Sequence, residues 1–158
     1  MMLRVLLISA TLAIPLAAQA APRLTEAEVR AFVERQSKAW NAGDLGGYFA
    51  LYAPDARFTD QARAKDGRVV PYGTSTLAEA KAQTRRARAG SKVQEVTTLR
   101  AIQIAPDGKS AQVAAAEASA IATGARTRRL CAERVQTIVL TPAGPRSKGQ
   151  TDTYLACR

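Results

Sequence analysis

Apolar side chains recur at Val29, Phe32, Val33 and Trp40, with Gln36 as a polar exception on the same stripe. That is the three-to-four spacing of one helical face. The pattern predicts a helix from Leu24 to Ala42, opened by Thr25 and Glu28 as a capping box and closed at Gly43. Asp44 then caps a second, short helix running to about Ala53. Pro54-Asp55 predicts a turn into a short strand, Ala56 to Asp60. Alternation along it sets Phe58 and Asp60 on one face and Arg57 and Thr59 on the other. If Phe58 faces the core, so does Asp60. The charges, Pro71 and glycines between Gln61 and Gly73 read as a loop over one edge. A third helix follows from Thr76 to Ala89, rich in good helix formers and stopped by Gly90.

Beyond Gly90 the pattern changes to β-prone segments separated by turns: Lys92 to Ala105, Ser110 to Thr123, Arg128 to Thr141 and Gln150 to Cys157. Pro106-Asp107-Gly108-Lys109 is a hairpin turn, Thr123-Gly124-Ala125 separates the next pair, and Pro142-Ala143-Gly144-Pro145 begins the last connection. The alanine-rich run from Ala114 to Ala120 also has helical propensity. A last turn centred on Gly144 sets Cys131 opposite Cys157, since the two lie equally far on either side of it. Cross-strand spacing at such a pair is compatible with a disulfide; the alternative is two buried thiols.

Composition decides where such a chain works. Arg4, the apolar run Val5 to Ala18 and the small-x-small site Ala18-Gln19-Ala20 form an export leader. Pro15 interrupts the run, which makes it a poor membrane span, so no stable membrane anchor is expected. Cleavage of residues 1–20 from the 158 leaves 138, residues 21–158, the size of one domain. It removes Arg4 alone among the charges, so the formal charge falls from +10 to +9. A basic surface attracts anionic partners. The cations are scattered, however, without interleaved stacking aromatics, and export separates the chain from most nucleic acid, so nucleic-acid binding is not expected. An oxidising compartment favours the disulfide. The chain has no histidine, which excludes Ser-His and Cys-His catalytic pairs and the commonest zinc and copper ligands. No Gly-rich phosphate loop follows a strand and no carboxylates have calcium-loop spacing. Neither a metal nor a cofactor is expected.

The order helix, helix, strand, helix and four antiparallel strands, with Asn41-Ala42-Gly43-Asp44-Leu45 and Ala50-Leu51-Tyr52-Ala53-Pro54-Asp55-Ala56, resembles the nuclear-transport-factor-2-like superfamily. Its SnoaL-like polyketide cyclases and ketosteroid isomerases are the enzyme comparison. The topology covers nearly all of residues 21–158, the motif only about residues 29 to 60. The resemblance implies an α+β fold in which three helices pack on a curved, mostly antiparallel sheet around a conical pocket, often dimerising through the sheet. In ketosteroid isomerases a carboxylate abstracts a proton beside a ketone while a tyrosine and a protonated acid hydrogen-bond the oxyanion. Carried over through the Asn-Ala-Gly-Asp motif, the base falls on Asp60, the tyrosine on Gln36 and the second acid on Glu133. A glutamine amide is far less acidic than a tyrosine hydroxyl and stabilises an enolate less.

The residues themselves leave other roles open. Asp60 has the option of bonding loop backbone at a strand end, and Glu133 of pairing with Arg100 or Arg126. Asp55 reads as a turn residue. Phe32, Trp40, Tyr48, Tyr52 and Phe58 are core or pocket wall. Glu117 shares a strand face with Val113, Ala115 and Ile121 and is a candidate pocket carboxylate. The leading expectation is an exported, non-catalytic pocket domain that binds a small apolar or amphipathic ligand or a partner protein. Two others stand beside it: an acid-base isomerase, cyclase or dehydratase with Asp60 as base, and a structural or interaction module that dimerises through the sheet.

Overall fold

The computed structural model describes residues 22–157. The expected leader, residues 1–20, lies outside the described residues. Helix α1 (Glu26–Ala42) begins with the full capping box: Thr25 receives the Glu28 amide and its own backbone amide reaches the Glu28 carboxylate. It ends at Gly43, whose φ of 73° is left-handed, a conformation cheap only for glycine. Asp44 caps α2 (Leu45–Ala50) by accepting from Gly47. Then follow β1 (Tyr52–Arg63), β2 (Val69–Thr76), α3 (Leu77–Arg88), β3 (Ser91–Ile104), β4 (Ser110–Thr123), β5 (Arg126–Thr141) and β6 (Gly144–Leu155).

The strands form one six-stranded sheet in the order β2-β1-β6-β5-β4-β3. All neighbours are antiparallel except β1 and β6. Register shifts interrupt the pairing at Asp60/Gln61, Leu99/Ala101 and Thr137/Ile138. Such bulges bend strands, and the three helices sit against the resulting curved sheet.

The expected arrangement of three helices on a curved sheet is present, but the expected strand set was too small. The stretch from Gln61 to Gly73 is not a loop: β1 runs on to Arg63 and pairs with an additional strand, β2. Val69, Val70 and Tyr72 are good strand residues, and Pro71, which argued for a loop, is tolerated because β2 lies at the sheet edge. Pro54-Asp55 does not precede the strand but lies inside β1. There the pairing with β6 jumps from Tyr52↔Ser147 to Arg57↔Gly149, so the proline occupies a bulge that needs no amide hydrogen bond. At Gly149 a Cβ would stand 1.8 Å from the Arg57 carbonyl oxygen, and φ is +123°; only glycine lets these backbones meet. The alanine-rich run is strand, paired on both sides within β4.

The disulfide is formed between Cys131 and Cys157, Cα atoms 5.3 Å apart, but the expected register was wrong. Thr141 pairs with Gly144 across a two-residue turn, and the Thr137/Ile138 bulge restores only one residue, so Cys131 lies opposite Leu155. Cys157 is two residues further along, on the same face, and bridges diagonally.

Two apolar clusters divide the interior. One joins α1 to the sheet through Leu24, Val29, Phe32, Val33, Val113 and Ile138; a fully buried Phe32 or Ile138 contributes roughly 1.5–3 kcal/mol. The other holds Tyr48, Phe49, Tyr52, Ala56, Phe58 and Ala80 beneath α2 and α3. Between the second cluster and the inner faces of β3 to β6 the molecule encloses a cavity.

Candidate functional site

The cavity has a volume of about 300 Å³. One wall is aromatic. Trp40 of α1 packs on Tyr48 of α2 with ring centroids 4.9 Å apart, and Phe49 and Phe58 continue the surface. These side chains converge because Gly43 and Asp44 turn α2 back against α1. Asn41 fixes the corner to the sheet, its amide donating to the Glu95 carbonyl at 2.8 Å and its carbonyl accepting the Glu95 amide at 2.7 Å.

The opposite wall is ionic. Alternation in β5 points Ala132, Arg134, Gln136 and Ile138 inward, and Arg134 gathers carboxylates from the adjacent β6 and β4 and from β3 one strand beyond. Its Nε donates to Asp152 at 2.7 Å, its Nη1 to Glu117 at 3.1 Å, and Nη1 lies 3.6 Å from Glu95. Thr97 donates to Glu117 at 2.7 Å and Ser119 to Glu95 at 2.8 Å. One guanidinium thus faces three acids, a surplus of negative charge inside a strongly basic chain.

That surplus, with burial, sets the proton affinities. Burial pushes the Glu117 carboxyl up to about 7, against the pull of Arg134 and with the added repulsion of Glu95. Burial works against the Arg134 charge, but its carboxylate partners, led by Asp152, hold its pKa well above the ordinary value. Asp60 is raised by burial and then by Asp152; it accepts from the Tyr154 hydroxyl at 3.2 Å. Among the described residues Asp60 is in no ion pair, which leaves its carboxylate available to the cavity.

A smaller chamber of about 20 Å³, the size of one water molecule, adjoins this wall and is lined by Gln36, Trp40, Tyr48, Glu95, Glu117 and Arg134 among others. Gln36 is buried there. Its carbonyl accepts from Gln136 at 3.0 Å, while its Nε2, like Trp40 Nε1, has no protein partner.

Of the residues singled out from sequence, Asp60, Trp40, Tyr48, Phe58 and Glu117 line the main cavity. Gln36 lies behind it in the side chamber. Three depart from expectation. Phe32 belongs to the core between α1 and the sheet, because its helical position faces Val113 and Ile138 rather than α2. Tyr52 sits behind the aromatic wall, its hydroxyl bonded to Tyr48 at 2.7 Å and donating to Gln150. Glu133 is on the outer sheet face, paired with Arg63 at 2.7 Å rather than with Arg100 or Arg126. Odd positions of β5 face outward, so the inward position belongs to Arg134. Sequence reasoning missed Arg134, Asp152, Glu95 and Tyr154. No sequence signal marked Arg134: along β5 the outward set holds Cys131 and Val135 and the inward set Ala132, Gln136 and Ile138, so both alternating sets mix apolar and polar residues.

No protein-family model and no curated protein matches the sequence. Solved structures do match the fold. A ketosteroid isomerase-like protein from Erwinia carotovora atroseptica superposes with a TM-score of 0.63 at 10% identity, covering 83% of this chain and 96% of that one. A nuclear-transport-factor-2-like protein of unknown function from Shewanella oneidensis gives 0.58 at 14% identity, covering 80% and 97%. The beta subunit of the benzoate 1,2-dioxygenase from Burkholderia mallei gives 0.63 at 10% identity, covering 85% and 93%. The chain has the nuclear-transport-factor-2-like cone fold.

Proposed function

We propose that this cone-fold domain, exported through its leader, is a ligand-binding protein whose cavity holds a small amphipathic molecule. The observation that carries the reading is a cavity of about 300 Å³ with an aromatic wall and a preorganised carboxylate-arginine wall, the usual composition of a small-molecule site. The aromatic rings take the apolar body. Asp60, with spare acceptor capacity, and Glu117, protonated below about pH 7, take its hydroxyl or amine groups. Native mass spectrometry of protein purified from the exported fraction tests this: a retained adduct is expected, and Thr84→Phe, which fills the cavity from α3, should abolish it. A chain that never carries an adduct, and whose Trp40 emission responds to no amphipathic probe, contradicts the reading.

A second reading is favoured by one specific observation: two carboxylates, Asp60 and Glu117, line the same cavity, and burial raises the proton affinity of both. Asp60 as base and Glu117 as neutral acid would support proton abstraction next to a carbonyl without a cofactor, the isomerase, cyclase or dehydratase class. Gln36 lends little to it, since its amide is a weak donor and lies in the side chamber behind the main cavity. Turnover of a ketosteroid-like or polyketide-like substrate that is lost in Asp60→Asn would establish this reading over binding alone.

A further inference from the structure

The basic residues that looked scattered in the sequence converge at one end of the molecule. Neither the stretch between Glu79 and Glu95 nor the stretch between Glu117 and Glu133 contains an acidic residue. The topology brings both together: Ser91 at the start of β3 pairs with Thr123 at the end of β4, which pairs with Arg126 at the start of β5. The Ser91 and Thr123 hydroxyls are 2.6 Å apart, and α3 ends at Arg88, just before this corner. Arg85, Arg86, Lys92, Arg126, Arg128 and Arg129 are all exposed there. Among the described residues none of them makes an ion pair or a side-chain hydrogen bond.

The same corner is the mouth of the cavity. The exposed side chains among its lining are Gln83 and Ala87 of α3 and Arg128 of β5. Arg88 stands beside them, its guanidinium 4.5 Å over the Trp40 ring and donating to the Trp40 carbonyl at 2.8 Å. Charge is therefore segregated along the cavity, cationic at the mouth and carboxylate-lined within. An anionic group is attracted to the mouth and repelled from the interior by Asp60, Glu95 and Asp152.

We propose that this basic end docks on an anionic lipid surface and that the ligand enters the cavity from that surface. The proposal rests on the ligand-binding reading above. A lipid surface fits better than an acidic protein for two reasons. It supplies many headgroup phosphates to a broad cluster of exposed cations without requiring paired geometry. It also delivers an amphipathic molecule directly to the mouth, so that its apolar part need not cross water.

The test is cosedimentation of the protein, residues 21–158, with vesicles of phosphatidylcholine alone or mixed in equal parts with phosphatidylglycerol. Binding is expected to the mixed vesicles only, weakening as salt is raised. Each cation near an anionic surface strengthens partitioning about 5-fold, so Arg126→Gln/Arg128→Gln/Arg129→Gln should weaken it on the order of 100-fold. The charge-matched variant Lys38→Gln/Lys65→Gln/Arg100→Gln should stay within a few-fold of the unmodified protein. Equal loss in both variants would mean that net charge rather than this face is responsible, and would overturn the proposal. So would absence of binding to mixed vesicles, or capture by poly-glutamate with the same variant dependence while vesicles are ignored. Trp40 emission and retained adducts report the cavity independently, so docking and ligand binding fail separately.

Discussion

Replacing Glu117 with glutamine should flatten the stability of this protein between pH 5 and 8. Glu117 is 5% exposed, and its pKa is raised from 4.5 to about 7. Between those values the folded state holds a proton that the unfolded chain has released. The associated stability is complete below about pH 4.5 and is lost as pH rises through about 7, at roughly 1.4 kcal/mol per pH unit. Across the window the loss is about 3 kcal/mol, of which about 2 to 3 kcal/mol falls between pH 5 and 8. Glutamine cannot titrate; whatever it loses in hydrogen bonding to Thr97 and Arg134 is the same at each pH. The quantity to measure is the difference in unfolding free energy between the unmodified protein and Glu117→Gln, from urea titrations at successive pH values. The unmodified protein should lose ground steadily as pH rises. A difference that stays flat, or moves in its favour, would refute the assignment of a buried carboxyl held neutral by its surroundings.

Arg134→Gln leaves Asp152, Glu117 and Glu95 without their shared cation and should cost about 3–5 kcal/mol at neutral pH, with recovery as the buffer is acidified. Gly149→Ala forces a Cβ into the Arg57 carbonyl at a left-handed φ; a loss of at least about 2 kcal/mol in urea titration is expected. Removing the Cys131–Cys157 bridge, which spans a sequence separation of 26, by a double serine substitution should cost about 3 to 4 kcal/mol on the chain-entropy model. The oxidised form should also be about 2 Da lighter than the reduced one in intact mass, reflecting loss of two thiol protons. Asn41→Ala loses both hydrogen bonds to the Glu95 backbone; a cost of about 1–3 kcal/mol is expected, along with a changed Trp40 emission as the α1–α2 corner loosens.

Much of this molecule was legible from local chemistry. The Thr25/Glu28 cap, the Gly43 stop and the Asp44 cap are complete within a few residues, so α1 and the start of α2 fall where their sequence predicts; α2 stops at Ala50, short of the expected Ala53, because Tyr52 and Ala53 join β1. Alternation along β1 placed Phe58 and Asp60 on one face, and both line the cavity. What failed depended on partners distant in sequence. Pro71, Gly67, Gly73 and the flanking charges hide the strand propensity of Val69, Val70, Tyr72 and Thr74, and only the edge position beside β1 makes the proline compatible with a strand. Cys131 and Cys157 meet through a register that a bulge and a two-residue turn shift from the symmetric one. Glu133 was aligned one position away from the inward site because no local pattern shows which face of β5 the helices cover.

Local chemistry sets the helices, most of the strands and the inward carboxylate at Asp60, because caps, turns and alternation are interactions between near neighbours. The site was decided only by tertiary structure. Glu95, Glu117, Arg134 and Asp152 come from four strands, and the raised proton affinities of Glu117 and Arg134 arise only where folding buries them together. The same folding gathered cations from α3, β3 and β5 at the end of the molecule where the cavity opens, a juxtaposition that their linear order does not show.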